Sequence, residues 1–249
     1  SMPRAAAGTG LADHVVRVVR MPDLILDYVQ HLEKQSSAAT QDAALNEIEA
    51  KLPEIQTRIL NRTDHDLQQY KSATLVRRIH RRMQALRIAD PAAYVARLDK
   101  EPKEIDALHN DILIGVTSFF RDPEAFHVLE RKVFPELLER PRDPSGTIRI
   151  WVPGCGSGEE AYSLAILLTE AMDQKGTRLT AQVFGTDVDA NAIRHARLAN
   201  YPSAVAAQVG PDRLARFFTD EPTGYRIARG LRDMCLFSEH DLIRHPPFS

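Results

Sequence analysis

TIRIWVPGCGSGEE, residues 147–160, reads as a strand, a glycine turn and the start of a helix. Ile148, Ile150 and Val152 alternate with Arg149 and Trp151, the period of a strand with one face in a core. Pro153 ends it. Gly154, Gly156 and Gly158, with Cys155 and Ser157 between them, make a tight turn in which glycine lets the backbone reverse and a ligand come close. From Glu159 an apolar run (Ala161, Leu164, Ala165, Leu167, Leu168) follows helical spacing without proline. A purely structural turn between strand and helix needs the same glycines, so the turn alone names no ligand.

Two details narrow the choice. The spacing is GxGxG and not the GxGxxG of dinucleotide folds. Two carboxylates, Glu159 and Glu160, stand where a helix N-terminus would otherwise hold a pyrophosphate. They repel phosphate and suit a cation. S-adenosylmethionine carries a sulfonium and an ammonium group and no phosphate, so the local charge favours a methyl donor over NAD.

With 249 residues, 43% hydrophobic and 27% charged, and a net charge of -2, the chain has the profile of one large or two ordinary globular domains. It contains no run of 18 apolar residues, and SMPRAAAGTG at the start lacks the apolar centre of a signal peptide. Cys155 and Cys235 are the two cysteines and form no CxxC, and the nine histidines show no HxxxH. Neither a disulfide framework nor a metal site is expected, and the reading is cytoplasmic.

Along the chain, residues 1–52 read as an extension with helical segments. Asp23 is placed to cap a helix running to about Lys34, and Ser36–Asp42 reads as a linker. From Ala43 onward helical spacing returns (Leu45, Ile48, Leu52, Ile55, Ile59), and no glycine occurs between Gly10 and Gly115, so residues 53–141 read as an all-helical domain. Lys71–Arg87 holds six basic residues and no acid. Leu75, Ile79, Met83 and Leu86 share one face of that helix, with Arg77, Arg78 and Arg81 roughly opposite. Such runs are usually solvated surface, but the missing counter-acids put a polyanionic partner, nucleic acid or an acidic protein helix, at least level with that reading. Asp90-Pro91 and Asp122-Pro123 read as capped helix starts. Pro141–Gly146 reads as the domain boundary, and residues 146–249 as an α/β domain. There a second strand, Ala181–Gly185, leads to Asp187, placed where an acid grips a ribose. Asp189 reads as a helix cap, and a third strand is placed at Met234–Phe237 with Asp241 after it.

GVTSFFRD, GCGSGEEAYS, FGTDVD and FSEHDL, in that order, resemble the chemotaxis protein-glutamate methyltransferase family (CheR-type). YKSATLVRRIHRRM resembles the basic helix of that family's helical domain. Met21–His31 resembles the tail of the methylesterase domain in fused chemotaxis proteins, which implies a piece of a larger protein. The resemblance implies a class I S-adenosylmethionine-dependent, Rossmann-like α/β sheet preceded by a small helical domain. The implied reaction is methyl transfer to receptor glutamates, with S-adenosylhomocysteine as the other product. By that resemblance Thr117 and Arg121 reach the donor's methionine carboxylate from the helical domain. Glu160 meets its ammonium group, Asp187 its ribose, and Asp241 with Leu242 its adenine. Gly154 and Gly156 form the cradle, and Gly115, where relatives carry a bonding side chain, contributes backbone only. Arg77, Arg78, Arg81 and Arg82 dock the acidic helix of a chemoreceptor's cytoplasmic domain. Ala161 replaces the family's proline after the double Glu. The chain stops before the fourth strand and its tyrosine-containing motif, so part of the adenine site and the remaining sheet are expected to be missing.

A glutamate acceptor is already ionised at neutral pH, so this transfer needs alignment and desolvation and no general base. Arg121 is the candidate for orienting the acceptor, with Arg131 and Lys132 as alternatives. Neither nucleic acid nor membrane insertion is expected. Two other readings stand beside this one. One is a non-catalytic donor-binding or receptor-docking module. The other is a nucleic-acid methyltransferase, to which His245-Pro246-Pro247-Phe248 bears a superficial likeness.

Overall fold

The computed structural model describes residues 16–34, 38–113, 115, 117–140 and 146–246. The chain divides into two compact units, Ser1–Ile114 and Gly115–Ser249.

The first unit is helical: Met21–Lys34, Ala38–Thr63, Ser72–Ala85, Pro91–Lys100 and Pro102–Leu113. The helical spacing of its apolar residues becomes one core in which Ile48, Ile55, Ile59, Leu75, Ile79, Tyr94 and Leu108 are buried. Asp90 caps its helix as expected, accepting from the backbone N–H of Ala92 at 2.8 Å and Ala93 at 3.3 Å. Two expectations need revision. The first helix begins at Met21, so Asp23 lies within its first turn and is not its cap. Ala38 to Asp42, read as linker, already belongs to the long helix; residues 35–37 lie outside the described residues.

The second unit is built on a parallel sheet in the order β1 (Ile148–Pro153), β2 (Ala181–Asp187), β6 (Cys235–Glu239). Ile148 is in register with Ala181, and Val183 with Cys235. Helix Glu159–Gln174 connects β1 to β2, and Ala190–Leu198 follows β2. A second sheet, antiparallel and absent from the sequence reading, lies between β2 and β6 in the chain. Its order is β3 (Asn200–Tyr201), β5 (Gly224–Ile227), β4 (Phe218–Glu221). Tyr201, Phe218 and Ile227 join it to the same core as Val152, Tyr162 and Val183.

The expected boundary at Pro141–Gly146 has residues 141–145 outside the described residues, and the two units meet 26 residues earlier than Pro141. The reason lies in the helices Pro123–Val128 and Phe134–Glu139, joined by a π-helical turn. Phe134 and Leu138 pack with Ile148 of β1 and with Leu167, Leu168 and Met172, so this segment belongs to the sheet unit. Asp122 precedes Pro123 as expected, but its side chain accepts no cap hydrogen bond. Among the described residues no helix is long and apolar enough to cross a membrane.

Candidate functional site

Parallel strands put their C-terminal ends on one edge, and here that edge carries Pro153, Asp187 and Glu239. The chain leaves β1 through three left-handed glycines, Gly154 (φ 67°), Gly156 (φ 54°) and Gly158 (φ 96°). At Gly158 the need is steric as well, since a Cβ would lie 2.9 Å from that of Ala196 and 3.2 Å from the Tyr201 hydroxyl. The turn is tied down from several sides. Cys155 N–H donates to the Thr186 carbonyl, Tyr201 Oη to the Ser157 carbonyl at 2.7 Å, and Gly156 N–H to Asp187 Oδ2 at 2.7 Å.

Asp187 thus stands at the tip of β2 beside the glycine turn. Its other oxygen, Oδ1, accepts from Asp189 N–H at 2.9 Å. An ionised carboxylate has about four acceptor positions, so two backbone donors leave room for ligand hydroxyls. Asp189 is committed elsewhere: its Oδ1 accepts from Asn191 and Ala192 N–H and caps the next helix.

The two carboxylates at the start of helix Glu159–Gln174 behave differently. Glu159 turns inward, where the Ser157 hydroxyl donates to it at 2.8 and 2.9 Å. Burial pushes its carboxyl above the usual range, opposed by hydrogen bonds from Ser157 and Thr117. Glu160 stays exposed on the first turn. Cys155 is buried in the turn, and burial with the nearby Asp187 charge pushes its thiol up to about 12.

The segment around Thr117 is brought against this turn. Thr117 Cγ2 would be 3.5 Å from a Cβ on Gly156, and its side chain bonds Glu159. Two anchors hold the segment: Phe119 N–H donates to Gln208 Oε1 and Phe120 N–H to Ser163 Oγ, each at 3.1 Å. Phe119 is buried edge-on to Tyr201 and Phe218, so it is core. The sequence reading placed Thr117 and Arg121 in the helical domain; both belong to the unit that carries the glycine turn. Gly115 and Arg121 are exposed.

After β6, His240 N–H donates to the Asp187 carbonyl at 2.9 Å. Asp241 Oδ1 then accepts from Ile243 and Arg244 N–H, fixing the following turn. Leu242 and Ile243 are 55% and 56% exposed at this edge. Of the His245–Phe248 tetrapeptide, residues 247 and 248 lie outside the described residues.

In the helical unit, Arg77 and Arg81 are exposed and Arg78 is half-buried. Arg82 differs. Its fork donates to Glu104 Oε1 at 2.8 Å and Oε2 at 3.0 Å, and Tyr94 Oη donates to the same Oε1 at 3.1 Å. Arg82 therefore fastens the basic helix to helix Pro102–Leu113, and its charge is spent inside the unit.

Sequence reasoning named Ser157 and Glu159 but not the hydrogen bonds between them, and it missed Tyr201 as a builder of the turn. Ser157 and Glu159 carry a local signal, a hydroxyl two residues before a carboxylate. Tyr201 carries none, being 44 residues from the carbonyl it holds.

The charged groups around the turn are the carboxylates Asp187 and Glu160, with Glu159 turned inward behind them, and there is no basic side chain among residues 154–160. That chemistry fits a cationic ligand with hydroxyls, as S-adenosylmethionine is. Residues 115–249 match the family model described as "CheR methyltransferase, SAM binding domain", and residues 50–113 match "CheR methyltransferase, all-alpha domain". The whole chain is 32% identical to an uncharacterized 104.1 kDa protein of Rhodobacter capsulatus, spanning 28% of that protein. It is 30% identical to a chemotaxis protein methyltransferase of Listeria innocua, over 72% of this chain and 65% of that one. A chemotaxis protein methyltransferase of Salmonella typhimurium is 32% identical over 61% of this chain and 50% of its own length. The chain thus spans less than two thirds of each of these relatives. With both domains matched in order and the glycine turn, Thr117 and Asp187 meeting at one edge, the chain belongs to the CheR methyltransferase family and carries its S-adenosylmethionine-binding domain.

Proposed function

We propose that this chain methylates glutamate side chains of a chemoreceptor's cytoplasmic segment, using S-adenosylmethionine, in chemotactic adaptation. One observation carries the reading: Asp187 Oδ2 lies 2.7 Å from Gly156 N while Thr117 packs on the same glycine. Three separated motifs so meet at one edge, which supports placing the donor there. Relatives named as chemotaxis protein methyltransferases support the setting.

In this reading Asp187 accepts from the ribose hydroxyls and Glu160 from the ammonium group. Thr117, the Gly115 backbone and Arg121 face the methionine carboxylate, and Asp241 with Leu242 borders the adenine. Gly154 and Gly156 keep side chains out of the cradle. The bound donor supplies an electrophilic methyl on a sulfonium. Transfer forms a C–O bond to the acceptor carboxylate and breaks the methyl–sulfur bond, with the electron pair left on sulfur, so no proton moves. The acceptor, with an ordinary pKa of about 4.3, is ionised at neutral pH. Arg121 orients it without protonating it. Cys155, held as a thiol by burial, does not compete for the methyl group.

The acceptor is an acidic helix docked on Arg77, Arg78 and Arg81. Arg82, bound to Glu104, holds the helix that presents them. The test is Arg77→Glu with Arg81→Glu, one turn apart on the exposed face and clear of the buried Leu75, Ile79 and Met83. Binding of a receptor cytoplasmic fragment should be lost while affinity for S-adenosylhomocysteine is kept. A DNA duplex that displaces the fragment at physiological ionic strength overturns the receptor reading.

A further inference from the structure

Among the described residues β6 pairs with β2 alone, and the chemistry beside it is unlike that of the donor edge. A cavity of about 410 Å³ lies there, lined by Arg197, Arg229, Arg232 and Asp233, with Tyr162 and Leu236 among its less polar walls. Three guanidinium groups face one carboxylate, a local balance of +2. That carboxylate is only weakly engaged, since Asp233 meets Arg229 at 3.4 Å where both are exposed. Arg197 spends Nε and one terminal nitrogen on the Phe237 carbonyl, at 3.1 and 2.7 Å, which seals the strand edge and fixes one wall.

Arg232 is the informative residue. Among the described residues its Nε is buried without a hydrogen-bond partner, and Arg232 has no ion pair. The cavity also borders Tyr162, and the Arg232 guanidinium partly opposes the burial that pushes that phenol up. Buried donors nearly always have acceptors, and here the described residues provide none for the Arg232 Nε. An anion provides one. Guanidinium forks match phosphate oxygens in geometry and charge. The cavity is larger than a phosphate ion and falls within the ~300–1,000 Å³ of small-molecule sites. Leu236, 49% exposed, offers an apolar surface to the rest of the ligand.

We propose that this cavity binds a small phosphate ester of nucleotide size, with Arg232 and Arg229 taking its phosphate and Arg197 forming the wall. The site is distinct from the donor edge: it surrounds Cys235 to Phe237, at the start and middle of β6, whereas the donor edge lies beyond Glu239. The two also select opposite charge, because the glycine turn carries carboxylates.

The experiment is calorimetric titration of UMP, uridine and inorganic phosphate into the chain. Ionic strength is held constant with NaCl, and S-adenosylhomocysteine is kept saturating so that the donor edge is closed to nucleosides. UMP should bind at least tenfold more tightly than uridine, and more tightly than phosphate. Arg232→Gln should weaken UMP at least tenfold. Arg229→Gln, at a position 86% exposed where folding is not at risk, should weaken it at least threefold. Affinity for S-adenosylhomocysteine should be unchanged in both variants. Equal affinity for UMP and uridine overturns the proposal, as does UMP binding that survives both substitutions. Binding of a polyglutamate peptide in place of UMP overturns it too.

Discussion

Glu104 in the helical unit and Asp187 in the sheet unit are both carboxylates that accept from more than one donor, and their partners could hardly differ more. Glu104, 6% exposed, takes both arms of the Arg82 fork and the Tyr94 hydroxyl. Its charge is cancelled and its oxygens are largely used. Asp187 takes two backbone N–H groups, one per oxygen, and among the described residues no cation pairs with it. Its charge and half its acceptor positions remain. The first arrangement closes a core. The second holds a carboxylate in place with acceptor positions open, as the proposed donor site requires. The same residue chemistry thus serves different ends according to what its neighbours leave unsatisfied.

The largest effect expected from this contrast is on stability at Glu104. Glu104→Ala leaves Arg82 charged and part-buried without its main partner, and should destabilise the helical unit by about 3–5 kcal/mol. Urea unfolding measures this, and a loss under about 1 kcal/mol breaks the comparison. Arg82→Ala should cost nearly as much by stranding Glu104, whereas Arg81→Ala, one residue away and exposed, should stay within about 0.5 kcal/mol. Equal effects at the two arginines would remove the distinction between the fastening residue and those proposed to dock a partner.

The smallest effect concerns Glu159. Burial raises its folded pKa above the ordinary value. Its contribution to stability is therefore fully present below about pH 4.3 and is lost as pH rises through the raised folded value. Glu159→Gln mimics the protonated form and keeps an acceptor for Ser157. The variant should melt slightly higher than the parent at pH 7, with the gap closing by about pH 4. A gap that widens on acidification contradicts the burial argument.

Much of the proposed donor edge was legible because its signals are local. Alternation at Ile148, Ile150 and Val152, three glycines in five residues, and an acid at a strand end need no tertiary knowledge. The helical unit was legible for a similar reason, in the spacing of Ile48, Ile55 and Ile59. What escaped depends on residues far apart in the chain. The antiparallel sheet is made of strands of two and four residues, too short to show a period, and is held together through Tyr201, Phe218 and Ile227. Helices 123–139 look like a continuation of the helical domain until Phe134 and Leu138 meet β1. The basic helix has no acid within it, yet Glu104 and Asp111 supply one arginine with partners from 22 and 29 residues away. A charge run read along the chain cannot tell which of its members is already spoken for.

The most direct test of the central claim, that the β1 turn and Asp187 hold the methyl donor, is calorimetric titration of S-adenosylhomocysteine into the parent chain and Asp187→Ala, with folding checked by circular dichroism. Charge-assisted hydrogen bonds contribute ~1.5–3 kcal/mol each, so the account predicts binding to the parent and a loss of at least about tenfold in the variant. Unchanged affinity in a folded Asp187→Ala protein would contradict it.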